Sequence, residues 1–362
     1  MALSAPVIKT IAQKIAPKSW LVPDRRRTFD ALKEEARRVH LLLEVRDARV
    51  PFTSANLQFQ RFLKWKHHIT VFTKIDLADK EKLAEWKNYF KGENYFFLNS
   101  YSRHCVSALM SLLKARLLEA SPSDSTKVVM VVGLPSVGKT TLVNGLHRIG
   151  RRRVQMLEKL TLSKVSLTPY QTTSFFNCKI CYRPPMYAMD TPSVMYPTIL
   201  DAETGLKLCL TGAMQDSVVG EVKLARFLLA VINSMRSSVH SVWKAEFEAK
   251  RFMKDPLDKT KKTDRKLIRL DDNFVQVKGI IATELLSFEG DLRREGEMQR
   301  LVDHQFRALH GFYESVRTSR RIITDFRIVR RLLSLYRVGK LGRYTWDTVP
   351  TMSTELLKHN LS

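Results

Sequence analysis

The sequence GLPSVGKT at residues 133–140 constrains the fold more than any other part of the chain. It fits G-x-x-x-x-G-K-[ST], a loop whose glycines let the backbone approach phosphates and whose N–H groups attract their negative charge. The apolar run VVMVV at residues 128–132 predicts a buried parallel strand before it, and TLVNGL at residues 141–146 predicts a helix after it. Strand, glycine-rich turn and helix predict an α/β domain with a phosphate site at the helix N-terminus.

The residue types of this loop indicate their roles. The Lys139 side chain is expected to reach the β- and γ-phosphates of a nucleotide, and the Thr140 hydroxyl to coordinate Mg²⁺. A chance glycine-rich turn is the alternative, which the flanking strand and helix disfavour. The other loop residues predicted to contact the nucleotide are Pro135, Ser136, Val137, Gly138 and Thr141.

Two later segments predict the rest of a magnesium site. Asp190 follows a predicted strand end in the sequence DTPS and can hold Mg²⁺ through water, and Ser193 of the same sequence is expected to contact the nucleotide. The loop TPYQTT at residues 168–173 contains Thr172, which we expect to close over Mg²⁺ and the γ-phosphate. Ordinary turns without a ligand role are the alternative for both segments. The predicted metal ligands are Thr140, Thr172 and Asp190.

A motif that reads the base precedes the phosphate loop. The sequence TKID at residues 73–76 follows the predicted strand ITVF at residues 69–72. A carboxylate at Asp76 matches the paired N–H donors of guanine and rejects adenine, which lacks them. A third predicted strand at residues 95–98 ends where a backbone N–H could reach the guanine O6. The predicted base-contacting residues are Thr73, Lys74, Asp76, Asn99 and Ser100.

The order of these motifs is reversed. In an ordinary guanine-nucleotide switch the phosphate loop comes first and the base-reading motif last, whereas here residues 73–76 precede residues 133–140. The polar segment SPSDST at residues 121–126 would join the two ends of an ordinary domain, which tend to lie close together. The order therefore predicts a circularly permuted nucleotide-binding domain.

The motifs in this order resemble the circularly permuted GTPases of the ribosome-assembly type, and among them the mitochondrial ribosome-associated branch. The resemblance covers residues 20–215 and thins after them. It implies a P-loop GTPase domain followed by a C-terminal α-helical domain, GTP and Mg²⁺ as ligands, and ribosomal RNA as a partner. The matching segments are residues 45–51, 73–76, 99–100, 133–141, 169–173, 190–192, 211–213 and 338–343.

The chain departs from the family pattern at four places. Thr73 and Ser136 each stand where the family has Asn, and Ser193 stands where it has Gly. The family Asn at the second position is associated with a potassium ion, so potassium activation stays open here. The N-terminal segment LVPDRRR at residues 21–27 lacks the His that the family is proposed to use to position water, and Arg25 is the candidate substitute.

The charge of the chain indicates a polyanionic partner. Lys and Arg number 61 against 36 Asp and Glu, giving a formal net charge of +25, far more than a nucleotide pocket needs. Basic residues at 315–343 and 251–269 alternate with apolar ones and predict amphipathic helices with a basic face. Solvated surface faces are the alternative for these runs. The charged stretch at residues 255–272 also predicts an exposed loop. The four cysteines do not suggest a disulfide framework, and no run has the length of a transmembrane helix.

The predicted organisation has three parts: an N-terminal extension at residues 1–23, a permuted GTPase domain at residues 24–205, and a basic helical RNA-binding domain at residues 206–362. Residues 1–23 contain no acid and place Ile8 and Ile11 on one helical face, as a mitochondrial transit peptide does; an RNA-binding helix is the alternative. A matrix protein is expected, with a peripheral position on the inner membrane left open.

The leading hypothesis is a GTPase that binds rRNA and assists assembly of the large mitochondrial ribosomal subunit, with slow or ribosome-stimulated hydrolysis. Assembly intermediates and other assembly factors are the expected partners, and the free protein is expected to be a monomer. The alternative is a nucleotide-stabilised scaffold on the pre-ribosome that does not hydrolyse GTP. A signalling GTPase with protein effectors fits the basic C-terminal region poorly.

Overall fold

The structure is a computed structural model that describes most of the 362 residues. The described residues are 6–18, 20, 26–56, 67–92, 94–120, 126–152, 176–192, 199, 201–234, 238–252, 265–315 and 325–350. They form two compact units. A sheet unit contains residues 19–215 and 343–362, and a helical unit contains residues 1–18 and 216–342.

The described helices and strands alternate in the first part of the chain and are all helical in the second part. In chain order they are α1 (Pro6–Ile15), α2 (Arg26–Arg38), β1 (Leu41–Asp47), β2 (His68–Thr73), α3 (Lys80–Tyr89), β3 (Tyr95–Phe97), α4 (Arg103–Ala120), β4 (Lys127–Val132), α5 (Lys139–Arg152), β5 (Phe176–Tyr182), β6 (Pro185–Asp190), α6 (Ala202–Thr211), a short 3₁₀ turn (Asp216–Val218), α7 (Glu221–Asn233), α8 (Ser238–Phe252), α9 (Arg265–Leu286), α10 (Glu295–Ser315) and α11 (Asp325–Arg337).

The sheet of the first unit has the order β3-β2-β1-β4-β6-β5. Every neighbouring pair is parallel except β5 with β6, which is antiparallel. The central strands β1 and β4 are almost wholly buried, as expected for apolar runs covered by helices on both faces. The strands predicted at residues 69–72, 95–98 and 128–132 and the helix predicted at residues 141–146 are confirmed.

The core of the sheet unit lies on both faces of these central strands. On one face, Leu42 of β1 and Met130 of β4 pack against Leu32 and Ala36 of α2. Phe72 of β2 lies on the same face of the sheet and stacks on Phe97 of β3 with a centroid distance of 4.5 Å. On the other face, Leu43 of β1 and Val131 of β4 are fully buried. This two-sided covering holds the strands rigidly, and their carboxyl ends can therefore carry a precise binding site.

The helical unit is built around α7, whose described side chains are mostly buried. Helix α7 packs against α1, α10 and α11, and α9 packs against both α8 and α10. Gly279 lets α9 approach α8 closely, because a Cβ added at Gly279 would lie 2.2 Å from the Phe247 ring of α8. A reciprocal pair of amide hydrogen bonds, 2.8 and 2.9 Å long, joins Asn233 to Gln305 inside this largely apolar core.

Helix α1 belongs to the core of the helical unit. Its apolar face is buried against α7 and α10, with Ile8 fully buried and Ile11 7% exposed. The basic residue Lys14 leaves that face and pairs with Glu295 at 2.6 Å. The helical face predicted from Ile8 and Ile11 is thus present, and within the folded unit it has a packing role in addition to the predicted targeting role.

The contacts divide the chain differently from the predicted boundaries. Residues 206–215 cluster with the sheet unit, since most of α6 is buried there, and residues 343–350 return to it after the last helix. Residues 6–18 cluster with the helical unit. The prediction of an exposed charged loop over residues 255–272 is wrong from Arg265 onward, because α9 begins there and buries Ile281 farther along.

Candidate functional site

The carboxyl ends of β1, β2, β3, β4 and β6 meet at one edge of the sheet, because these strands are parallel. Four of the predicted motifs lie at these ends. The predicted base-reading residues 73–76 begin at the last residue of β2, residues 99–100 come after β3, the phosphate loop follows β4, and Asp190 ends β6. Segments far apart in sequence are thereby brought to a single edge, where ligands bind in open α/β sheets.

Two glycines shape the phosphate loop. Gly133 has φ +150°, and a Cβ there would lie 2.3 Å from the Val45 carbonyl of β1. Gly138 has φ +102°, which side chains rarely adopt. Ser136 also has a positive φ, 55°, a left-handed conformation that Asn tolerates better than Ser. Ser136 therefore adopts this turn with some backbone strain.

The Lys139 side chain curls under the phosphate loop. Its Nζ donates to the carbonyls of Gly133 and Leu134 at 2.9 and 2.8 Å, and the residue is 3% exposed. Burial lowers its pKa to about 8, and the Asp190 charge opposes that shift. A buried cation at the start of α5 adds to the positive end of the helix dipole, which suits an anionic ligand. Its predicted phosphate contact stays a prediction.

The predicted magnesium ligands Thr140 and Asp190 lie together. The Thr140 hydroxyl donates to Asp190 Oδ2 at 2.7 Å. Asp190 Oδ1 is buried with no hydrogen-bond partner. Burial raises the pKa of Asp190, opposed by the Thr140 hydrogen bond and the Lys139 charge. Mg²⁺ prefers hard oxygen ligands, and a buried carboxylate oxygen without a partner fits such an ion.

The base-reading motif is tied directly to the phosphate loop. Thr73 Oγ1 lies 2.5 Å from the Val137 carbonyl and 3.1 Å from the Arg46 carbonyl, so its single proton can serve only one of them at a time. Lys74 Nζ donates to the Ser136 carbonyl at 2.5 Å. The predicted base-reading loop and the predicted phosphate loop are thus fixed to each other.

A buried ion-pair network at the end of β1 supports Lys74 of the predicted base-reading motif. Asp47 accepts from both Nε and Nη2 of Arg49, at 3.0 and 2.8 Å, and from Lys74 Nζ at 2.9 Å. Burial opposes ionisation of Asp47, but the Arg49 and Lys74 charges hold its pKa far below the usual range. The sequence motif at residues 45–51 marked this region without giving it a role. A carboxylate at the end of an apolar strand was the available signal.

The segment after β3 completes the edge. Asn99 Oδ1 accepts from the Tyr101 N–H at 2.8 Å, which closes a tight turn. The Ser100 Oγ is buried without a hydrogen-bond partner, and the Ser100 carbonyl lies near Gly145 of α5. This close approach places residues 99–100 beside the helix that begins at the phosphate loop. The predicted O6 contact from this segment stays a prediction.

Three predicted site residues lie outside the described part of the chain: Arg25, Thr172 and Ser193. The described residues bring together the remaining ones, at the ends of β2, β3, β4 and β6. The sheet also shows the permutation directly. The strand that carries the phosphate loop is fourth in the chain yet lies centrally, between β1 and β6.

Known proteins resemble this chain over most of its length. Residues 128–271 match the family model of the 50S ribosome-binding GTPases. Short integuments 2, mitochondrial, of Arabidopsis thaliana is 32% identical over 340 residues, which cover 90% of this chain and 88% of that protein. DAR GTPase 2, mitochondrial, of the same plant is 33% identical over 347 residues, covering 92% and 91%. Mouse mitochondrial ribosome-associated GTPase 1 is 32% identical over 222 residues, covering 59% and 66%.

These relatives are named mitochondrial, which confirms the predicted mitochondrial localisation. None of the helices within the described residues is long and apolar enough to cross a membrane. Two relatives exceed 30% identity over most of both chains, and the permuted motif order is visible in the sheet. The chain therefore belongs to the family of mitochondrial GTPases with circularly permuted motif order.

Proposed function

We propose that this GTPase binds ribosomal RNA and assists assembly of the large mitochondrial ribosomal subunit. The observation that carries the proposal is the excess of positive charge, +25, in a chain whose nucleotide site uses only a few cations. A charge this one-sided favours a polyanionic partner. The description of the matching family, 50S ribosome-binding GTPase, favours a large subunit as that partner.

The helical unit carries basic groups suited to such a partner. Helix α11 buries an apolar face that includes Ile328 and Leu332, and it presents Arg327 and Arg330 to solvent. Part of this basic surface is already paired: Arg330 with Glu221 at 2.8 Å, and Arg337 with Asp216 at 2.5 Å. Exposed cations with partners on their own unit contribute less to RNA binding, so Arg327 is a better candidate for a phosphate contact.

Within the nucleotide site, the proposed roles follow from the geometry. Lys139 and the loop N–H groups bind the phosphates, and Asp76 accepts from the guanine edge. Lys74 lies across the base, held by Asp47 and the Ser136 carbonyl. Thr140 and Asp190, with Thr172 from outside the described residues, would hold Mg²⁺, which neutralises charge on the phosphates when bound. After hydrolysis, the GDP-bound protein would bind RNA differently from the GTP-bound protein.

Crosslinking tests the RNA proposal. The full chain would be loaded with a non-hydrolysable GTP analogue, crosslinked in mitochondria, and its attached RNA sequenced. We expect large-subunit rRNA to be enriched over small-subunit rRNA, and less so with GDP. Equal recovery of both rRNAs, or recovery of proteins without rRNA, would contradict the proposal.

Single-turnover hydrolysis tests the catalytic part. We expect the rate of GTP cleavage to rise when large-subunit precursors are added, because the described residues at the site include no side chain that the structure places to activate water. A rate that is negligible in both conditions would instead favour the nucleotide-stabilised scaffold.

A further inference from the structure

The chain returns to the sheet unit after its last helix. Residues 343–350 form neither helix nor strand, yet four consecutive residues there are at most 6% exposed. Irregular backbone is buried only when its polar groups find partners. The four residues are Tyr344, Thr345, Trp346 and Asp347.

The first two of these residues bond to the loop that follows the base-reading motif. The Tyr344 N–H donates to the Leu77 carbonyl at 3.2 Å, directly after the carboxylate that reads guanine. Thr345 Oγ1 accepts from the Asp79 N–H at 3.1 Å, and the Thr345 carbonyl accepts from Lys82 Nζ at 2.9 Å. Tyr344 and Thr345 therefore fix both the end of the base-reading loop and the start of α3.

The last two residues bond to the turn that follows β1. The Trp346 N–H donates to the Arg49 carbonyl at 2.8 Å. Asp347 Oδ2 accepts from the N–H groups of Phe52 and Thr53 at 2.8 and 2.7 Å, and its Oδ1 accepts from Thr53 Oγ1 at 2.7 Å. One buried carboxylate thus receives three hydrogen bonds from this turn.

Both contact regions converge on one lysine. The Arg49 side chain pairs with Asp47, which pairs with Lys74 of the base-reading motif. Tyr344 bonds to the loop just after that motif. Lys207 of α6 completes the arrangement by donating to Asp347 Oδ1 at 3.1 Å. The Asp347 carboxylate therefore forms an ion pair with Lys207 in addition to its hydrogen bonds, and residues 344–347 are held at a defined position.

We propose that residues 344–347 position the guanine-reading loop, with Asp347 as the principal positioning residue. The inference rests on the proposed contact between Asp76 and guanine. Removing the Asp347 carboxylate leaves the Phe52 and Thr53 donors without their acceptor and leaves Lys207 with Glu203 alone, and the turn and loop lose their common anchor. Contacts to the base then weaken, whereas contacts to the phosphates, which the loop after β4 makes, are retained.

Comparison of two nucleotides isolates the effect on the base. Inosine diphosphate lacks the 2-amino group of GDP, so it forgoes one of the two hydrogen bonds expected to the Asp76 carboxylate. The ratio of the two dissociation constants therefore reports the position of the base-reading loop. A general loss of stability would weaken both nucleotides alike and leave the ratio unchanged.

The test measures dissociation constants of fluorescent GDP and inosine diphosphate on the full chain. The preference for GDP is expected to fall about fivefold in Asp347→Ala, as loss of one or two hydrogen bonds implies, and less in Asp347→Asn, which keeps an acceptor. Thr348→Ala, at the exposed neighbouring residue, is the matched control and should keep the wild-type ratio.

A second variant covers the case in which Asp347→Ala does not fold. Thr345→Val keeps the shape of the side chain and removes only the acceptor for the Asp79 N–H, and it should lower the ratio about twofold. Unchanged ratios in the folded variants would overturn the positioning role alone. A wild-type protein that binds both nucleotides equally would overturn the proposed guanine contact, and this inference with it.

Discussion

The two units place their charges in opposite ways. The sheet unit buries charged side chains at the ends of its strands: Asp47, Lys139 and Asp190 are each at most 3% exposed. The helical unit buries apolar side chains and, among the described residues, carries its arginines mostly on exposed faces such as that of α11.

This difference indicates two kinds of recognition. Buried charges interact strongly in a low dielectric and are fixed in position, which suits a small ligand bound in one orientation. Exposed charges are screened by salt and act additively, which suits a long polyanion recognised by its phosphates. Substitutions in the two units should therefore differ in size and in salt dependence.

The largest effect is expected from Lys139→Ala. Removing this buried cation should weaken GDP binding at least about 100-fold, because a charge-assisted phosphate contact is lost and Asp190 loses its neighbouring charge. Fluorescent GDP titration would measure the change. Lys223→Ala, at an exposed lysine of α7, is the matched control. Similar losses in both variants would remove the contrast between the units.

The next effect concerns the stability of the helical unit. Ile8→Ala should lower its free energy of unfolding by about 2–4 kcal/mol, because the side chain is fully buried between α1 and its neighbours. Denaturant titration gives the change, and hydrogen exchange should rise in α7 and α10. Lys9→Ala, on the exposed face of α1, should have little effect. An unchanged stability in Ile8→Ala would show that α1 is not part of this core.

The pH dependence of GDP binding should follow Lys139. Its pKa is lowered to about 8 in the protein by burial, and a bound phosphate favours the protonated form. Below pH 8 Lys139 is already charged when the nucleotide binds. Above pH 8 Lys139 is mostly neutral, so nucleotide binding is accompanied by uptake of a proton. The dissociation constant should therefore rise about tenfold between pH 7 and pH 9. The dependence should be weaker in Lys139→Ala, and equal slopes in both proteins would exclude this origin.

The smallest effect is expected on the surface of the helical unit. Arg327→Gln should weaken RNA binding only about twofold to fivefold at moderate salt and reduce the slope of log K against log salt by about 1. Filter binding over a salt series would measure both quantities. GDP affinity should not change. A loss of RNA affinity that is independent of salt would argue against a phosphate contact.

Much of the nucleotide site could be predicted from the sequence because phosphate chemistry restricts it to few residue types. The loop glycines are required by positive φ at Gly138 and by the close Val45 carbonyl at Gly133, and the strands beside them are apolar runs. The permutation was visible in the order of the motifs. These features depend on local sequence, so they can be predicted without knowledge of the fold.

The remaining features depend on contacts between distant segments. The hydrogen bonds from the Phe52 and Thr53 N–H groups to Asp347 join residues almost 300 positions apart, and no local sequence pattern predicts them. The packing of α1 into the helical unit likewise joins the first residues of the chain to α10. The start of helix α9 is hard to predict because the charged residues near Arg265 resemble a loop.

The central claim is that the motif preceding the phosphate loop reads guanine. The most direct measurement is the nucleotide preference of Asp76→Asn, in GDP and xanthosine diphosphate titrations. Asn can donate to the 2-oxo group that xanthine has in place of the guanine 2-amino group. The account predicts that wild-type protein prefers GDP and that the variant prefers xanthosine diphosphate. A variant that still prefers GDP as strongly as the wild type would contradict it.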